Sequence, residues 1–380
     1  MIRMRIGVVT SVRRCHGNTS ELTVFSEGRP AAAVNYDALT GPVNCGDLVL
    51  LNNTAVHLGL GTGGADFVCH NFSAPLPPFR GQGHIMKLRY TPWQIRVLSC
   101  EEEAAGYQDR LAAFQGLKRM PVLIAELHSM LAPAVAVIKY FQPGCRVVYL
   151  MSDGGALPAP LSRSLAELKE KKLLEGVITC GHAFGGDLEA VNIYSALAAA
   201  HTILKAGLVI ISMGPGNVGT GTRFGFSGME LGEHVNRVNA LGGTPVVIPR
   251  ISFADGRSRH RGISHHTLTA LAVAAFSPAR LVLPQAPQPQ LRLMFDQLIR
   301  HGLQRRHRIL VRPAPALLPI MKHFSLSPPV SMGRRYREDP LFFNAAAAAA
   351  AEALREMGDL NQEAKLRRRE TEKAGTQARL

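Results

Sequence analysis

From about Gln94 onward, short apolar runs alternate with longer stretches of helical periodicity. Parallel neighbouring strands need a long crossover, usually a helix, and a strand covered on both faces is apolar throughout. This alternation therefore predicts an α/β fold, with a mostly parallel, Rossmann-like sheet and helices on both faces. The predicted strands are Ile95–Leu98, Val122–Ala125, Val147–Leu150, Val177–Thr179, Leu208–Ile211, Pro245–Ile248, Leu281–Leu283 and Ile309–Val311. The clearest predicted helices are Leu161–Leu174, Leu188–Leu204 and Met229–Ala240.

The flanking parts of the chain have different patterns. Residues 1–72 contain short β-branched runs separated by turn residues, which predicts a small all-β, barrel-like domain. Residues 73–93 begin with a proline-rich stretch and are expected to be an extended connector. We place the α/β ligand-binding domain at 94–315. Residues 316–380 are predicted to be a C-terminal extension, with a helix at the alanine run Ala345–Ala351 and a charged tail.

The composition predicts a soluble, cytoplasmic protein. Apolar stretches such as Leu208–Met213 end at Gly or Pro, far short of the roughly 18 residues that a membrane-spanning helix needs. The N-terminal residues lack the apolar run of a signal peptide. The six cysteines are scattered singly, which does not suggest a disulfide framework.

Basic residues are concentrated in one part of the chain. The formal net charge is +15, and residues 250–330 contain twelve Lys or Arg and two Asp. A basic surface attracts small anionic ligands, and it is also what nucleic acids bind. A third interpretation is an ordinary solubilising surface.

Polar clusters follow five of the predicted strands, and ligands of open α/β sheets bind outside the carboxyl ends of the strands. The clusters lie at 126–129, 153–155, 181–187, 214–222 and 250–266. Their recurrence predicts one ligand site at this edge of the sheet.

The most distinctive cluster is the glycine-rich loop 214–222. Glycines let a backbone approach a ligand closely and turn its N–H groups toward an anion. The predicted ligand-binding residues of this loop are Gly214, Gly216, Asn217, Gly219, Thr220, Gly221 and Thr222. A dinucleotide fingerprint is disfavoured because Arg223–Phe226 intervene before the helix, and the loop contains no P-loop lysine. The alternative is a tight structural connection. Ser227 and Glu230 have the spacing of a helix capping box.

The segment 250–266 is rich in Arg and His, which seldom fill protein cores. Arg250, Arg257 and Arg259 are predicted to bind an anion. The predicted acids or bases are His182, His265 and His266, with Asp153 as a carboxylate partner. His128 and Ser129, which follow the second predicted strand, are also predicted to bind the ligand.

Other roles for these residues stay open. A metal could bind His265 and His266 together with His182 or His128. His265 and His266 could instead be first-turn helix residues behind a Ser264 cap. Asp187 is expected to cap a helix that begins at Leu188, and Ser129 has a possible capping position of its own.

Five strings of the sequence resemble the signature blocks of a bacterial protein family known only as a domain of unknown function. They are LNNTAVHLGLGTGG, GHIMKLRYTP, LHSMLAP, GPGNVGTGTRFGFSG and RISFADGRSRHRGISHHT. The resemblance runs from about Met4 to Pro315. It implies a bacterial origin and one integrated unit, and it supplies no cofactor, substrate or catalytic residue.

The leading functional hypothesis is an enzyme acting on a small anionic substrate, phosphorylated or nucleotide-like. The alternatives are a non-catalytic sensor or regulator that binds such a ligand, and a nucleic-acid-binding protein using the basic segment 250–322. Neither the cofactor nor the oligomeric state follows from the sequence.

Overall fold

The chain begins with a closed five-stranded barrel of strand order β1-β2-β3-β5-β4. Its elements are β1 (Met4–Cys15), β2 (Thr19–Ser26), β3 (Arg29–Tyr36), α1 (Asp37–Thr40), β4 (Leu48–Asn52), α2 (Thr54–His57) and β5 (Asp66–Asn71). Exposed and buried residues alternate along the first half of β1, as a strand with one face on a core requires. Val9, Val24, Val49 and Leu51 lie within the resulting core. The predicted barrel-like domain is confirmed.

The computed structural model describes residues 1–15, 17–61, 63–75 and 81–377, with the backbone alone from 359. Residues 76–80 of the predicted connector lie outside these ranges, as do the side chains of the predicted charged tail.

A hairpin follows the barrel, formed by β6 (Ile85–Lys87) and β7 (Ile95–Val97), with α3 (Gln108–Ala112) after it. The prediction that Ile95–Leu98 is a strand of the parallel sheet is wrong. β7 pairs antiparallel with β6, because the seven residues between them form a turn too short for a parallel crossover.

The rest of the chain alternates strands and helices. The strands are β8 (Pro121–Ala125), β9 (Val147–Ser152), β10 (Gly176–Cys180), β11 (Leu188–Ala190), β12 (Leu208–Met213), β13 (Thr244–Ile248), β14 (Ile251–Ser252), β15 (Gly262–Ile263), β16 (Arg280–Pro284), β17 (Arg308–Arg312), β18 (Val330–Ser331) and β19 (Arg334–Arg335). The helices are α4 (Leu131–Phe141), α5 (Arg163–Glu170), α6 (Ile193–Thr202), α7 (Glu230–Ala240), α8 (His265–Thr269), α9 (Gln288–Arg300), α10 (Leu317–His323) and α11 (Pro340–Gln377).

Within the described ranges, eight strands form one sheet in the order β11-β10-β9-β12-β8-β13-β16-β17. Every pairing in it is parallel. All residues of β8, β9, β10 and β12 are buried, so both faces of the sheet are covered there. The predicted α/β, Rossmann-like architecture is confirmed.

The predicted helix Leu188–Leu204 begins later than expected. Residues Leu188–Ala190 form the edge strand β11, and α6 starts at Ile193 behind an Asn192 cap. Asn192 and Ser195 form a reciprocal capping box, which fixes the helix start at this point. The prediction that Asp187 caps a helix at Leu188 is therefore wrong. Its carboxylate instead accepts hydrogen bonds from Lys169 and from the backbone N–H of Val177.

The alanine run lies inside the long helix α11, which packs on α4 and on strands of the sheet. The side chains of Ala345–Ala350 are completely buried, since alanine lets a helix approach a sheet closely. Arg280 and Arg312, from β16 and β17, pair with Glu356 and Glu352 of this helix. No helix in the described part of the chain is long and apolar enough to cross a membrane.

Candidate functional site

The five polar clusters follow five strands that are consecutive in the sheet, namely β10, β9, β12, β8 and β13. From β8 the chain crosses to β9 on one side, and from β12 it crosses to β13 on the other. Because β8 and β12 are neighbours whose connections run in opposite directions, their carboxyl ends form a topological switch point, where α/β proteins bind ligands. Glu126 follows β8, and the loop 214–222 follows β12.

Glu126 is the buried centre of this edge, with a completely inaccessible side chain. Its carboxylate accepts hydrogen bonds from Nδ1 of His266 at 3.1 Å and from the Thr267 hydroxyl at 2.7 Å. Burial acts to raise the pKa of Glu126, but the hydrogen bond from His266 and the charge of Arg250 outweigh it and place the pKa below its ordinary value. An ionised carboxylate only accepts hydrogen bonds, so Nδ1 of His266 carries a proton.

Arg250 lies between two buried carboxylates. Its guanidinium is 3.5 Å from Glu126 and 3.7 Å from Asp255. Asp255 also accepts two hydrogen bonds from the Arg257 guanidinium, at 2.9 and 2.8 Å. The hydrogen bond from Arg257 is the main reason that the pKa of Asp255 is far below its ordinary value, against the opposing effect of burial.

A later part of the chain completes this charge network. Arg334 contacts Asp255 at 3.4 Å and Asp339 at 3.1 Å, and Asp339 also accepts a hydrogen bond from Ser252. Three carboxylates, including that of Glu126, thus balance three guanidinium groups. The charges of Arg250 and Arg257 are committed to holding the segment 250–266 in place.

The hairpin β14–β15 shapes the segment 250–266. Ile251 pairs with Ile263 and Ser252 with Gly262, which brings the two ends of the segment together. Gly262 has a φ of +75°, and a Cβ there would collide with the Gln297 side chain. Ser264 then caps α8 by accepting a hydrogen bond from the backbone N–H of His266, in agreement with the interpretation of His265 and His266 as first-turn residues.

Arg259 differs from its neighbours Arg250 and Arg257. It is exposed, and no ion pair involves it among the residues that the structure describes. A Cβ on Gly221 would lie 3.6 Å from its guanidinium carbon. The one uncompensated arginine of the predicted three therefore lies against the glycine-rich loop.

Gly219 brings the same loop against His266. A Cβ on Gly219 would lie 3.2 Å from Cε1 and 3.4 Å from Nε2 of that ring. Phe226, at the end of the loop, stacks on the same ring with centroids 4.0 Å apart and planes 3° apart. The connection after β12 and the Arg/His segment, which are far apart in sequence, are thus in contact through Phe226 and His266.

The loop is held in a small hairpin. Thr220 N–H bonds the Gly225 carbonyl at 2.8 Å, and Ser227 N–H bonds the Val218 carbonyl at 3.0 Å. Gly219 faces Phe226 between these two bonds, in a non-hydrogen-bonded pair whose N–H points away from the partner strand. The Ser227 hydroxyl donates to the Asn217 side chain at 2.7 Å.

The predicted capping box at Ser227 and Glu230 is wrong. A 3₁₀ turn occupies Ser227–Met229, α7 begins at Glu230, and no side chain caps it. Ser227 braces the loop instead. The Glu230 carboxylate accepts a hydrogen bond from Ser152 at 2.6 Å and lies 3.7 Å from Nε2 of His234.

Three histidines cluster beside Gly219. The ring centroids of His260, His265 and His266 are 4.4 to 5.1 Å apart. One ring nitrogen of each lies within 4.8 Å of those of the other two. Burial, together with nearby positive charges, lowers the pKa of His260 to about 3 and that of His265 to about 4, so both rings are neutral near pH 7.

His128 and Ser129 lie elsewhere. Nδ1 of His128 is 3.0 Å from the Tyr149 hydroxyl and Nε2 is 2.6 Å from the Ser162 hydroxyl, so both ring nitrogens have protein partners. Burial lowers the pKa of His128 to about 4. The Ser129 hydroxyl bonds Ser331 at 2.8 Å and caps no helix.

His182 and Asp153 lie together at the ends of β10 and β9, on the side of the hairpin β6–β7. The Asp153 carboxylate accepts a hydrogen bond from the backbone N–H of His182 at 2.9 Å. The His182 ring contacts Leu88 N–H at 3.1 Å and the Arg89 guanidinium at 3.3 Å. Asp153 thus contacts the backbone of His182, whereas the His182 ring bonds the hairpin β6–β7. The third histidine beside His265 and His266 is His260.

Several arginines of the basic segment 250–322 are already bound to other groups of the protein. Arg280 and Arg312 are paired with α11, and the Arg306 guanidinium donates to backbone carbonyls, including that of Ala272 at 3.1 Å. These arginines stabilise the fold, which reduces the surface charge that a polyanion would meet.

The protein is thus an α/β protein with a small closed barrel before its parallel sheet. At the switch point of the sheet, a glycine-rich loop lies beside an Arg/His segment. The chain belongs to the family described as "Protein of unknown function (DUF3866)", whose model matches residues 32–350. The predicted membership in a family of unknown function is thereby confirmed. No curated protein matches the sequence.

Proposed function

We propose that this protein is an enzyme that binds a small anionic substrate of the phosphate-ester class between the loop 214–222 and Arg259. The observation that carries the proposal is the position of two loop glycines: a Cβ on Gly221 would lie 3.6 Å from the Arg259 guanidinium carbon, and a Cβ on Gly219 would lie 3.2 Å from the His266 ring. The Arg259 guanidinium offers a positive charge to an anion, and the His266 imidazole is a group able to transfer a proton.

Charge supports Arg259 as the anion-binding residue. Arg250 and Arg257 are compensated by Glu126 and Asp255, whereas Arg259 is exposed beside the loop. An arginine fork matches the geometry of a phosphate, and the N–H of Gly219, turned away from its strand partner, adds a backbone donor. The loop backbone and Arg259 would hold the anion from two sides.

Proton transfer supports the catalytic part of the proposal. Imidazole is the side chain that most readily transfers protons near neutral pH, and the rings of His260, His265 and His266 lie with centroids 4.4 to 5.1 Å apart. A phosphate ester held at Gly219 would lie beside the His266 ring. We therefore assign acid–base work to this cluster rather than to His182, which is held by the hairpin β6–β7.

The test is a titration of the full-length chain with inorganic phosphate, ribose 5-phosphate and AMP, followed by thermal shift and calorimetry. A ligand present at about 100 times its Kd stabilises the fold by about 2.7 kcal/mol. We expect Arg259→Ala to weaken binding by about tenfold or more, the loss of roughly 1.4 kcal/mol. The matched control is Arg261→Ala, since Arg261 is exposed in the same segment.

The outcomes separate the parts of the proposal. Equal losses in the two variants would show a general field effect and overturn the assigned site, as would the absence of any response to phosphate compounds. Chromatography of the incubated ligand tests catalysis. Conversion of the ligand to a product would support the proposal that the protein is an enzyme. Recovery of intact ligand after long incubation with protein that binds it would overturn that proposal and favour a non-catalytic sensor.

A further inference from the structure

We propose that His260, His265 and His266 bind a divalent transition-metal ion of the zinc class. Three imidazoles with one ring nitrogen each inside a span of 4.8 Å are a donor set that zinc takes in open, three-ligand sites. The proposal deepens the acid–base part of the proposed function: with the ion bound, the three ring nitrogens are ligands, and the group that transfers a proton would be water on the ion. The phosphate-binding part of the proposed function does not depend on it.

Local structure brings the three rings together. His260 ends a 3₁₀ turn, Ser258–His260, and His265 and His266 open α8. The short strand β15 between them reverses the chain direction. Adjacent residues such as His265 and His266 usually point apart, but at a helix start their rings lie with centroids 4.4 Å apart. The hairpin therefore assembles a cluster that the linear spacing of these histidines does not reveal.

The orientation of each ring leaves a nitrogen for a ligand. Nδ1 of His260 is 2.8 Å from the Ser264 hydroxyl, and Nδ1 of His266 is 3.1 Å from the Glu126 carboxylate. Nε2 of His265 is buried and has no hydrogen-bond partner among the residues that the structure describes. Since a buried polar atom without a partner costs free energy, this nitrogen is itself a sign of a missing ligand.

The contact between His266 and Glu126 has the form that metal-binding histidines show in many proteins. A carboxylate that accepts the Nδ1 proton fixes the tautomer, so the lone pair of the neutral ring lies at Nε2. Glu126 is completely buried and is also held by the Thr267 hydroxyl, which fixes its orientation toward His266. Glu126 is thus a positioning residue that acts through His266.

The required rearrangement is small. Tetrahedral zinc with Zn–N distances of about 2.0–2.1 Å places its nitrogen ligands about 3.4 Å apart. The ring nitrogens here lie within 4.8 Å of one another, so side-chain rotations are sufficient. Nε2 of His266 faces Gly219, where the absence of a side chain leaves room for a fourth ligand, either water or an anion.

Charge balance favours an anion in that fourth position. The surrounding carboxylates are already matched by Arg250, Arg257 and Arg334, and imidazole ligands bring no negative charge to offset a metal ion. A dication here leaves the site positive. Its fourth ligand is therefore expected to be hydroxide or an anionic oxygen, in keeping with the ability of zinc to lower the pKa of bound water.

The experiment uses the full-length chain, stripped of metal with a chelator and dialysed, and titrated with Zn²⁺ in competition with a chromophoric chelator. We expect saturation at one equivalent and, with Co²⁺ instead, the intense visible absorption of a tetrahedral site. His260→Ala and His265→Ala are each expected to weaken Zn²⁺ binding at least about tenfold, roughly 1.4 kcal/mol. The matched control is His301→Ala, an exposed histidine outside the cluster.

Failure of the unmutated protein to bind one equivalent of Zn²⁺ overturns the proposal whatever the variants do. Equal losses in His301→Ala also overturn it, because they would mean adventitious surface binding. Circular dichroism of each variant separates loss of a ligand from loss of the fold. Because the titrant is the metal alone, a negative result in the phosphate titrations leaves this outcome unaffected.

Discussion

The carboxylate of Glu126 accepts a hydrogen bond from Nδ1 of His266 at 3.1 Å, across 140 positions of sequence. It joins the carboxyl end of β8 to the first turn of α8, and it fixes the face that His266 turns toward the glycine-rich loop. The first prediction follows from this contact.

Replacing Glu126 with Gln is expected to weaken Zn²⁺ binding by about 10- to 100-fold, the usual effect of removing such a partner of a metal-binding histidine. The amide keeps the shape of the side chain, but it is neutral and can donate as well as accept, so the His266 tautomer is no longer fixed. Competition titration with a chelator measures the change.

Glu230→Gln is the matched control, because Glu230 is a largely buried carboxylate that also has a histidine neighbour, His234, outside the cluster. Its Zn²⁺ affinity should equal that of the unmutated protein. A Glu126→Gln variant with unchanged Zn²⁺ affinity would contradict the assigned role of Glu126.

The variant Gly219→Ala is expected to bind phosphate about tenfold more weakly, a loss of roughly 1.4 kcal/mol, while the protein stays folded. Its Cβ would approach the His266 ring to 3.2 Å, so the loop must retreat from the ring and from the ligand. Calorimetry with phosphate compounds measures the loss. Gly256→Ala is the control, since a Cβ there meets no atom within 4 Å, and equal effects in both variants would rule out the loop contact as the cause.

Lys87 anchors the hairpin β6–β7 to the sheet and is only 1% exposed. Its ammonium donates to the carbonyls of Thr179 and Ala183 and to the Glu189 carboxylate. Lys87→Met should lower the free energy of unfolding by about 3 kcal/mol or more, because Glu189 loses its buried counter-ion. Urea denaturation measures it.

Two further variants test the explanation for Lys87. The double variant Lys87→Met with Glu189→Gln should recover part of the loss. Lys169→Met, which breaks the exposed pair with Asp187, should cost less than about 1 kcal/mol. Comparable losses in the two single variants would contradict the anchoring role.

Acid is expected to destabilise the protein in part through His128. Burial lowers its pKa to about 4 in the fold, below the ordinary value of 6.5, so the unfolded chain binds the proton more readily. The free energy of unfolding is therefore highest above pH 6.5 and falls as the pH decreases toward 4, by up to about 1 kcal/mol per pH unit. Urea denaturation between pH 7.5 and 5 measures the slope. His128→Asn should flatten it, and parallel slopes would exclude His128 as a contributor.

The sequence was sufficient to predict the sheet because buried parallel strands are apolar throughout, as Val147–Ser152 and Leu208–Met213 are. It could not assign short runs to a sheet. Ile95–Val97 and Leu188–Ala190 are each three residues long, and the pairing of such a run is decided by distant residues such as Lys87 and Glu189.

For the candidate site, the strand-end rule predicted where the polar clusters lie, but not which side chains are already paired. From the sequence alone, Arg250 and Arg259 are equivalent candidates for anion binding, because both are arginines of the segment 250–266. They differ because Glu126 and Asp255 neutralise the first, and because Arg334 and Asp339, some eighty residues later, complete that network. Glu126 was recognisable as the first residue after β8. His260 was not, since only the hairpin β14–β15 brings it to His265.

The strand order also sets when the site can exist. β12 lies between β8 and β9, although 55 residues separate it from the end of β9 and 82 from the end of β8. A nascent chain that has not yet supplied β12 has two unpaired strand edges at the centre of its sheet. Such edges invite pairing with other chains, and contacts as distant as that of Glu126 with His266 form slowly. Protection of the emerging chain by a chaperone would therefore be most valuable during synthesis of the residues that precede β12.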